Sequence, residues 1–279
     1  MIELKKIRPL AGGGGGATID LVEIGDRPFV LKRQTARHVG AERLFQRTLA
    51  EANLPSLKVI DHSRLRPDEI LLEYVEASET VGRSLSLDLC ERWGAAIAGL
   101  HAIRPGCFME LNEAALPTNA SWPDFLHRTL CDGLARQRGR QDGIPSRLLD
   151  RIETSLTALL SFHPDEFAVA HGDLHMNNAL IRGGDIVLFD KAPGIWTAPQ
   201  VFDIALVFTE AFPGARYLDS EARKGDKAHL AAFMSGYGGV PPAQAAWIDH
   251  FALLRSLRRY PSPFVPDMLT TIEAALDRL

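Results

Sequence analysis

The sequence predicts an α+β chain, with strands concentrated in the first 76 residues and helices making up most of the rest. Three observations carry this. Residues 2–10, 18–24, 27–33, 57–61 and 69–75 are short apolar and β-branched runs broken by turn residues. From Ser84 onward apolar residues recur at helical spacing, as in Leu89, Trp93, Ala96, Ile97 and Leu100. One strand, loop and hairpin, Phe167 to Asp190, interrupts the helical part.

Taken in order, the first strand runs into Ala11-Gly12-Gly13-Gly14-Gly15-Gly16-Ala17. Glycines let backbone N–H groups approach phosphates closely. A dinucleotide-binding turn should open a helix, but Thr18-Ile19-Asp20-Leu21-Val22 reads as a strand, and no Gly-Lys-Ser/Thr of a P-loop follows. Strand, glycine loop, strand therefore suits a loop that covers phosphates. Gly25-Asp26 turns the chain into Arg27 to Arg33, which carries Lys32. A helix is predicted over 39–52, with Leu44, Phe45, Thr48 and Leu49 on one side and Glu42 in its first turn. Strands follow at 57–61 and 69–75. Residues 106–120 read as loop. Helices are expected near 121–138, 145–162, from Val201, and over 220–236, 242–259 and 264–279.

The chemistry concentrates in His171-Gly172-Asp173-Leu174-His175-Met176-Asn177-Asn178 and in Asp190 at the far end of the following hairpin. Phosphoryl transfer needs a group to orient the attacking hydroxyl and accept its proton, and metal ions to neutralise phosphates. Asp173 is followed five residues later by Asn178, and Asp190 closes the hairpin. Asn and Asp offer hard oxygen ligands that suit magnesium. Alternatively, His171, Asp173 and His175 could bind a transition metal such as zinc, although two His four apart need a helix to face one way.

The His-Gly-Asp-x-His-x-x-Asn loop with its downstream Asp resembles the aminoglycoside phosphotransferase/choline kinase family, and every fixed position matches. The resemblance implies a protein-kinase-like two-lobed fold: a small N-terminal antiparallel β-sheet lobe with one helix, and a larger mainly helical C-terminal lobe. The lobes would be residues 1–76, binding nucleotide, and 77–279, carrying catalysis and acceptor binding. It implies ATP-dependent phosphorylation of a small-molecule hydroxyl, on an amino sugar or aminoglycoside, a choline-like molecule or another metabolite alcohol. Asp173 would be the catalytic base, and Asn178 and Asp190 the Mg2+ ligands. Gly13, Gly14 and Gly15 would cover the ATP phosphates, Lys32 would grip them, and Glu42 would pair with Lys32. Backbone near Glu73 and Val75 would meet adenine. Asp203 reads as a helix N-cap, and by resemblance it also braces the catalytic loop; His101 reads as structural. Two departures stand out. Met176-Asn177 replaces a frequent Pro-Gly. Lys191 stands where the family often has an acidic residue or Trp, so it would either weaken metal binding or touch phosphate.

Composition narrows the partners. The net charge is −4, which leaves no nucleic-acid footprint, and no apolar run is long enough to span a bilayer. Cys90, Cys107 and Cys131 cannot all pair and show no metal spacing, so reduced thiols and a cytoplasmic protein are expected, as monomer or weak dimer. Arg255, Arg258 and Arg259 cluster near Tyr260 and could face an anionic or sugar acceptor, with a solvated helix face the preferred reading. The competing functions are a catalytically inactive nucleotide-binding regulator and a zinc-dependent hydrolase using His171 and His175.

Overall fold

The computed structural model describes residues 4–10, 16–76, 79–218, 223–261 and 267–279. Strands β1 (Leu4–Pro9), β2 (Thr18–Ile24) and β3 (Arg27–Arg33) form an antiparallel meander. Gly25 makes the tight turn between β2 and β3 with φ +61°, a conformation that costs glycine little. Helix α1 (Ala36–Glu51) follows, and the Thr35 side chain caps its N-terminus by accepting from the His38 amide. Strands β4 (Val59–Ile60) and β5 (Glu69–Glu73) complete a five-stranded sheet in the order β1-β2-β3-β5-β4.

Helix α1 joins the sheet to the rest of the molecule. Its Val39 packs with Leu57, Ile70 and Leu72 of the sheet portion and with Val187 of the later hairpin. Its Phe45 and Leu49, one helical face on, enter the main core instead. One helix thus buries two apolar faces against two different partners.

Beyond the sheet come α2 (Leu87–His101), the short pair β6 (Met109–Leu111) and β7 (Pro117–Asn119), α3 (Trp122–Arg138) and α4 (Ser146–Thr157), with a 3₁₀ turn at Ala158–Ser161. Ser86 and Ser121 cap α2 and α3. Then follow β8 (Ala168–Val169), the hairpin β9 (Ala179–Arg182) and β10 (Asp185–Leu188), and β11 (Thr197–Ala198), which pairs with β8. Helices α5 (Gln200–Leu206), α6 (Asp226–Tyr237), α7 (Pro242–Ala245), α8 (Ile248–Arg259) and α9 (Met268–Leu276) close the chain. Trp93, Phe202, Phe212, Phe233 and Phe251 fill the core between them.

Three expectations need correction. The stretch 106–120 is not all loop: β6 and β7 pair, and the Leu111 amide donates to the Gly194 carbonyl. The 57–61 strand shrinks to two residues. The helix expected over 242–259 is two helices. In the first of them, α7, the buried Gln244 side chain caps α5, accepting from the Val201 amide at 3.1 Å. That bond replaces the cap that Pro199 cannot supply.

Helices α2 and α6 cross at backbone contact. A Cβ on Gly236 would lie 1.8 Å from the Glu91 carbonyl oxygen, and one on Gly94 would lie 2.0 Å from that of Phe233. Gly236→Ala should therefore destabilise the fold by roughly 1–3 kcal/mol despite alanine's helix propensity. Gly184→Ala, in open space, should be near neutral. Urea unfolding of the two variants checks this.

Candidate active site

The loop from His171 to Asn178 is held by one buried carboxylate. Asp203, in the first turn of α5, accepts from the His171 amide at 2.6 Å and the Gly172 amide at 2.9 Å. His101 approaches it at 3.4 Å and meets the Tyr237 hydroxyl on its other side at 2.8 Å. Burial would raise the Asp203 carboxyl, but the His101 hydrogen bond and charge, with His171 and the Gly172 amide, hold it far below the carboxylate range. Asp203 therefore braces the loop and caps no helix end, and His101 is structural, as expected. Gly172 has φ +78°, and a Cβ there would press on Ala192 and Ile195 at 3.0 and 3.1 Å. Only glycine suits this bend.

The braced loop presents Asp173, whose side chain is 29% exposed. The Asn178 side-chain amide donates to the Asp173 carbonyl at 3.0 Å, so its oxygen is directed elsewhere. Asp190 follows the hairpin in left-handed backbone, φ +62°. Such strain in a non-glycine residue persists only where neighbours over-determine it. Here the Phe189 amide donates to the Asn178 carbonyl at 3.1 Å, the Lys191 amide to Glu42 at 2.8 Å and the Ala192 amide to the His171 carbonyl at 3.1 Å. Asp190 then pairs with Lys32 of β3, 158 residues away.

Glu42 was the expected partner of Lys32. Its carboxylate instead accepts from Gln46 at 2.9 Å and from the Lys191 amide at 2.8 Å, fully buried between α1 and the Asp190 turn. Burial raises its carboxyl, against the field of Lys32. The Lys191 side chain, 2% exposed, is turned into the fold rather than toward a surface. Its ammonium is buried, donates to the carbonyls of Ala192 and Ile195, and is pushed down by burial to about 7. It is an internal strut for residues 191–196.

The arginines on α8 correct the sequence reading further. Arg258 is exposed, as expected of a solvated face, but Arg255 and Arg259 point inward. Arg255 is 5% exposed, donates to the Gly172 carbonyl at 2.5 Å and lies 4.7 Å from the Phe202 ring centre. Burial, then Arg258 and Arg259, push its pKa down to about 10. Arg259 ion-pairs with Asp173 and also, at 2.5 Å, with Glu210. Glu210 comes from Val207–Ala211, a π-helical continuation of α5; such turns often mark functional sites. Periodicity showed no sign of Glu210, because its role depends on the π turn.

Other expected residues fall as follows. Gly13, Gly14 and Gly15 lie outside the described residues. The Glu73 amide donates to the Lys58 carbonyl at 2.9 Å, so it is not a free donor for a base. Val75 packs beside Leu72, Val187, Leu180 and Phe189. Both His171 nitrogens are engaged, with the Phe189 carbonyl at 2.9 Å and the Asp173 amide at 3.3 Å, under the Phe45 ring. That ring cannot also ligate zinc. Among the described residues no group of three or more His, Cys, Asp or Glu is placed to hold a metal.

Burial acts to raise the Asp173 carboxyl, but Arg259, then His175 and Arg255, hold it below the usual range. As the expected base, Asp173 would act only when deprotonated, so activity should fall on the acid side of its pKa. Arg259→Gln should raise that pKa and move the acid limb of the kcat/KM profile to higher pH, whereas Arg259→Lys should move it less. An unmoved limb in Arg259→Gln would contradict the electrostatic role.

Solved structures share this fold. A thermostable mutant of aminoglycoside phosphotransferase APH(4)-Ia in its apo form aligns with a TM-score of 0.73 at 16% identity, over 99% of this chain and 95% of that one. The amicoumacin kinase hAmiN, solved with AMP-PNP, Ca2+ and Ami, aligns at 0.66 and 15%, over 99% and 90%. Spectinomycin phosphotransferase APH(9)-Ia, with ADP and spectinomycin, aligns at 0.61 and 14%, over 100% and 95%. No curated protein matches in sequence. The model of the phosphotransferase enzyme family matches residues 6–190, well over half of the chain and including the braced loop and Asp190. The chain belongs to the phosphotransferase enzyme family and has its protein-kinase-like fold.

Proposed function

We propose that the chain transfers the terminal phosphoryl group of ATP to a hydroxyl of a small molecule. Residues 1–76 bind the nucleotide, and residues 77–279 supply catalysis and the acceptor site. The observation that carries this is the Lys32–Asp190 contact. It brings a sheet-borne ammonium to the carboxylate beyond the hairpin, beside Asn178 and Asp173.

In this reading Lys32 leaves Asp190 for the ATP phosphates. Asp190 and the Asn178 oxygen hold magnesium; the set is all oxygen and fits a hard cation. Bound there, the ion neutralises phosphate charge. Glu42 acts at one remove, holding the turn at Asp190 through the Lys191 amide. Val30, Val59, Val75, Leu180 and Phe189 are the partly buried apolar groups flanking Leu72 and Val187, and they form the adenine slot. Asp173 orients the acceptor hydroxyl and takes its proton. The unpaired cysteines Cys90, Cys107 and Cys131 support a reducing, cytoplasmic setting.

ADP formation across a panel of alcohols tests the assignment. Asp173→Asn should lower turnover at least about a hundredfold while magnesium–nucleotide binding persists. Near-normal turnover refutes the base. Magnesium should tighten nucleotide binding, and Asp190→Ala should abolish that gain. A gain that survives in Asp190→Ala refutes the metal site.

A further inference from the structure

We propose that the acceptor carries an anionic oxygen group, a carboxylate or a phosphate, near its reacting hydroxyl, and that Arg259 recognises it. This rests on the phosphotransferase reading above and on Asp173 as its base.

An amine-rich acceptor needs carboxylates to receive it. Two acidic side chains meet at the acceptor side of the loop, Asp173 and Glu210, and Arg259 is ion-paired with both. A cationic acceptor would have to displace a guanidinium tethered by its own helix from two carboxylates at once. Further along α8, Asp249 is no more available. Arg216 grips it with two hydrogen bonds at 2.7 and 2.5 Å, the Tyr217 hydroxyl donates at 2.8 Å, and Arg278 reaches it at 3.4 Å.

Two guanidinium groups of α8, those of Arg255 and Arg259, face the loop, while Arg258 is exposed. Arg255 is buried with its Nε lacking a hydrogen-bond partner, so its charge adds to the local field with little solvent screening. Asp173, Arg259 and Glu210 also differ in reach: their side chains are 29%, 22% and 4% exposed, so an acceptor meets the Asp173 carboxylate and the Arg259 guanidinium beside it, not Glu210. A planar guanidinium presents paired donors that match carboxylate and phosphate oxygens. Its contact with Asp173 places the acceptor's anion beside the group that takes the hydroxyl proton.

The test is calorimetric, on the full chain loaded with magnesium and ADP. Two matched series serve as probes: glycerate, glycerol 3-phosphate, glycerol and serinol; and glucuronate, glucose 6-phosphate, glucose and glucosamine. At least one carboxylate or phosphate member should bind about tenfold more tightly than its neutral and amino counterparts, the scale of one charge-assisted hydrogen bond. The carboxylate and phosphate arms show which anion is preferred. Arg259→Gln should lose that preference and still bind magnesium–ADP. The proposal is overturned if no anionic probe binds, if a neutral or amino member binds as well, or if the preference survives in Arg259→Gln. Failure to bind magnesium–ADP at all sinks the phosphotransferase reading instead.

Discussion

The site depends on one buried carboxylate. Asp203 is 1% exposed and receives two successive backbone amides, those of His171 and Gly172. Desolvating a carboxylate is costly unless hydrogen bonds compensate, and here two amides and His101 do so. The bond geometry fixes the loop backbone on α5 before any side chain of the loop is considered. Gly172 bends away at positive φ, Arg255 takes up its carbonyl, and Asp173 emerges on the far side. The loop is thus pinned from α5 on its amides and from α8 on its carbonyl.

A second set of bonds ties the sheet portion to this loop. Gln46 of α1 donates to the Leu188 carbonyl at the end of the hairpin and accepts from the Leu57 amide, while Glu42 takes the Lys191 amide. These buried contacts hold Asp190 in a left-handed conformation that it would not keep alone. Lys32 completes the connection from β3. The parts that move charge therefore sit on rigid elements, and the bonds that position them come from α1, α5 and α8.

Charge pairing is extensive around α5 and α8. Arg216 pairs with Asp249, and Arg259 with both Asp173 and Glu210, while Asp203 is held by two backbone amides and His101. Lys191 adds a further buried charge, but it is turned into the 191–196 segment and stacks near Trp196 at 5.9 Å.

Local chemistry determined much on its own. Glycine turns and apolar periodicity marked β2, β3, α1, α2 and α3, because those signals act within a few residues. The spacing of Asp173, Asn178 and Asp190 marked the candidate catalytic loop, because a loop and a hairpin of set length leave few ways to place them. Tertiary structure alone decided which charges meet. Lys32 took Asp190 rather than Glu42, since α1 turns Glu42 toward Gln46 and the Lys191 amide. Arg255 and Arg259 turned inward while Arg258 stayed exposed, since α8 lies against the loop on one side only. Glu210 joined the site through a π turn that no periodicity announces. Partner choice among charges follows from burial and orientation, which depend on how distant elements pack and not on their order along the chain.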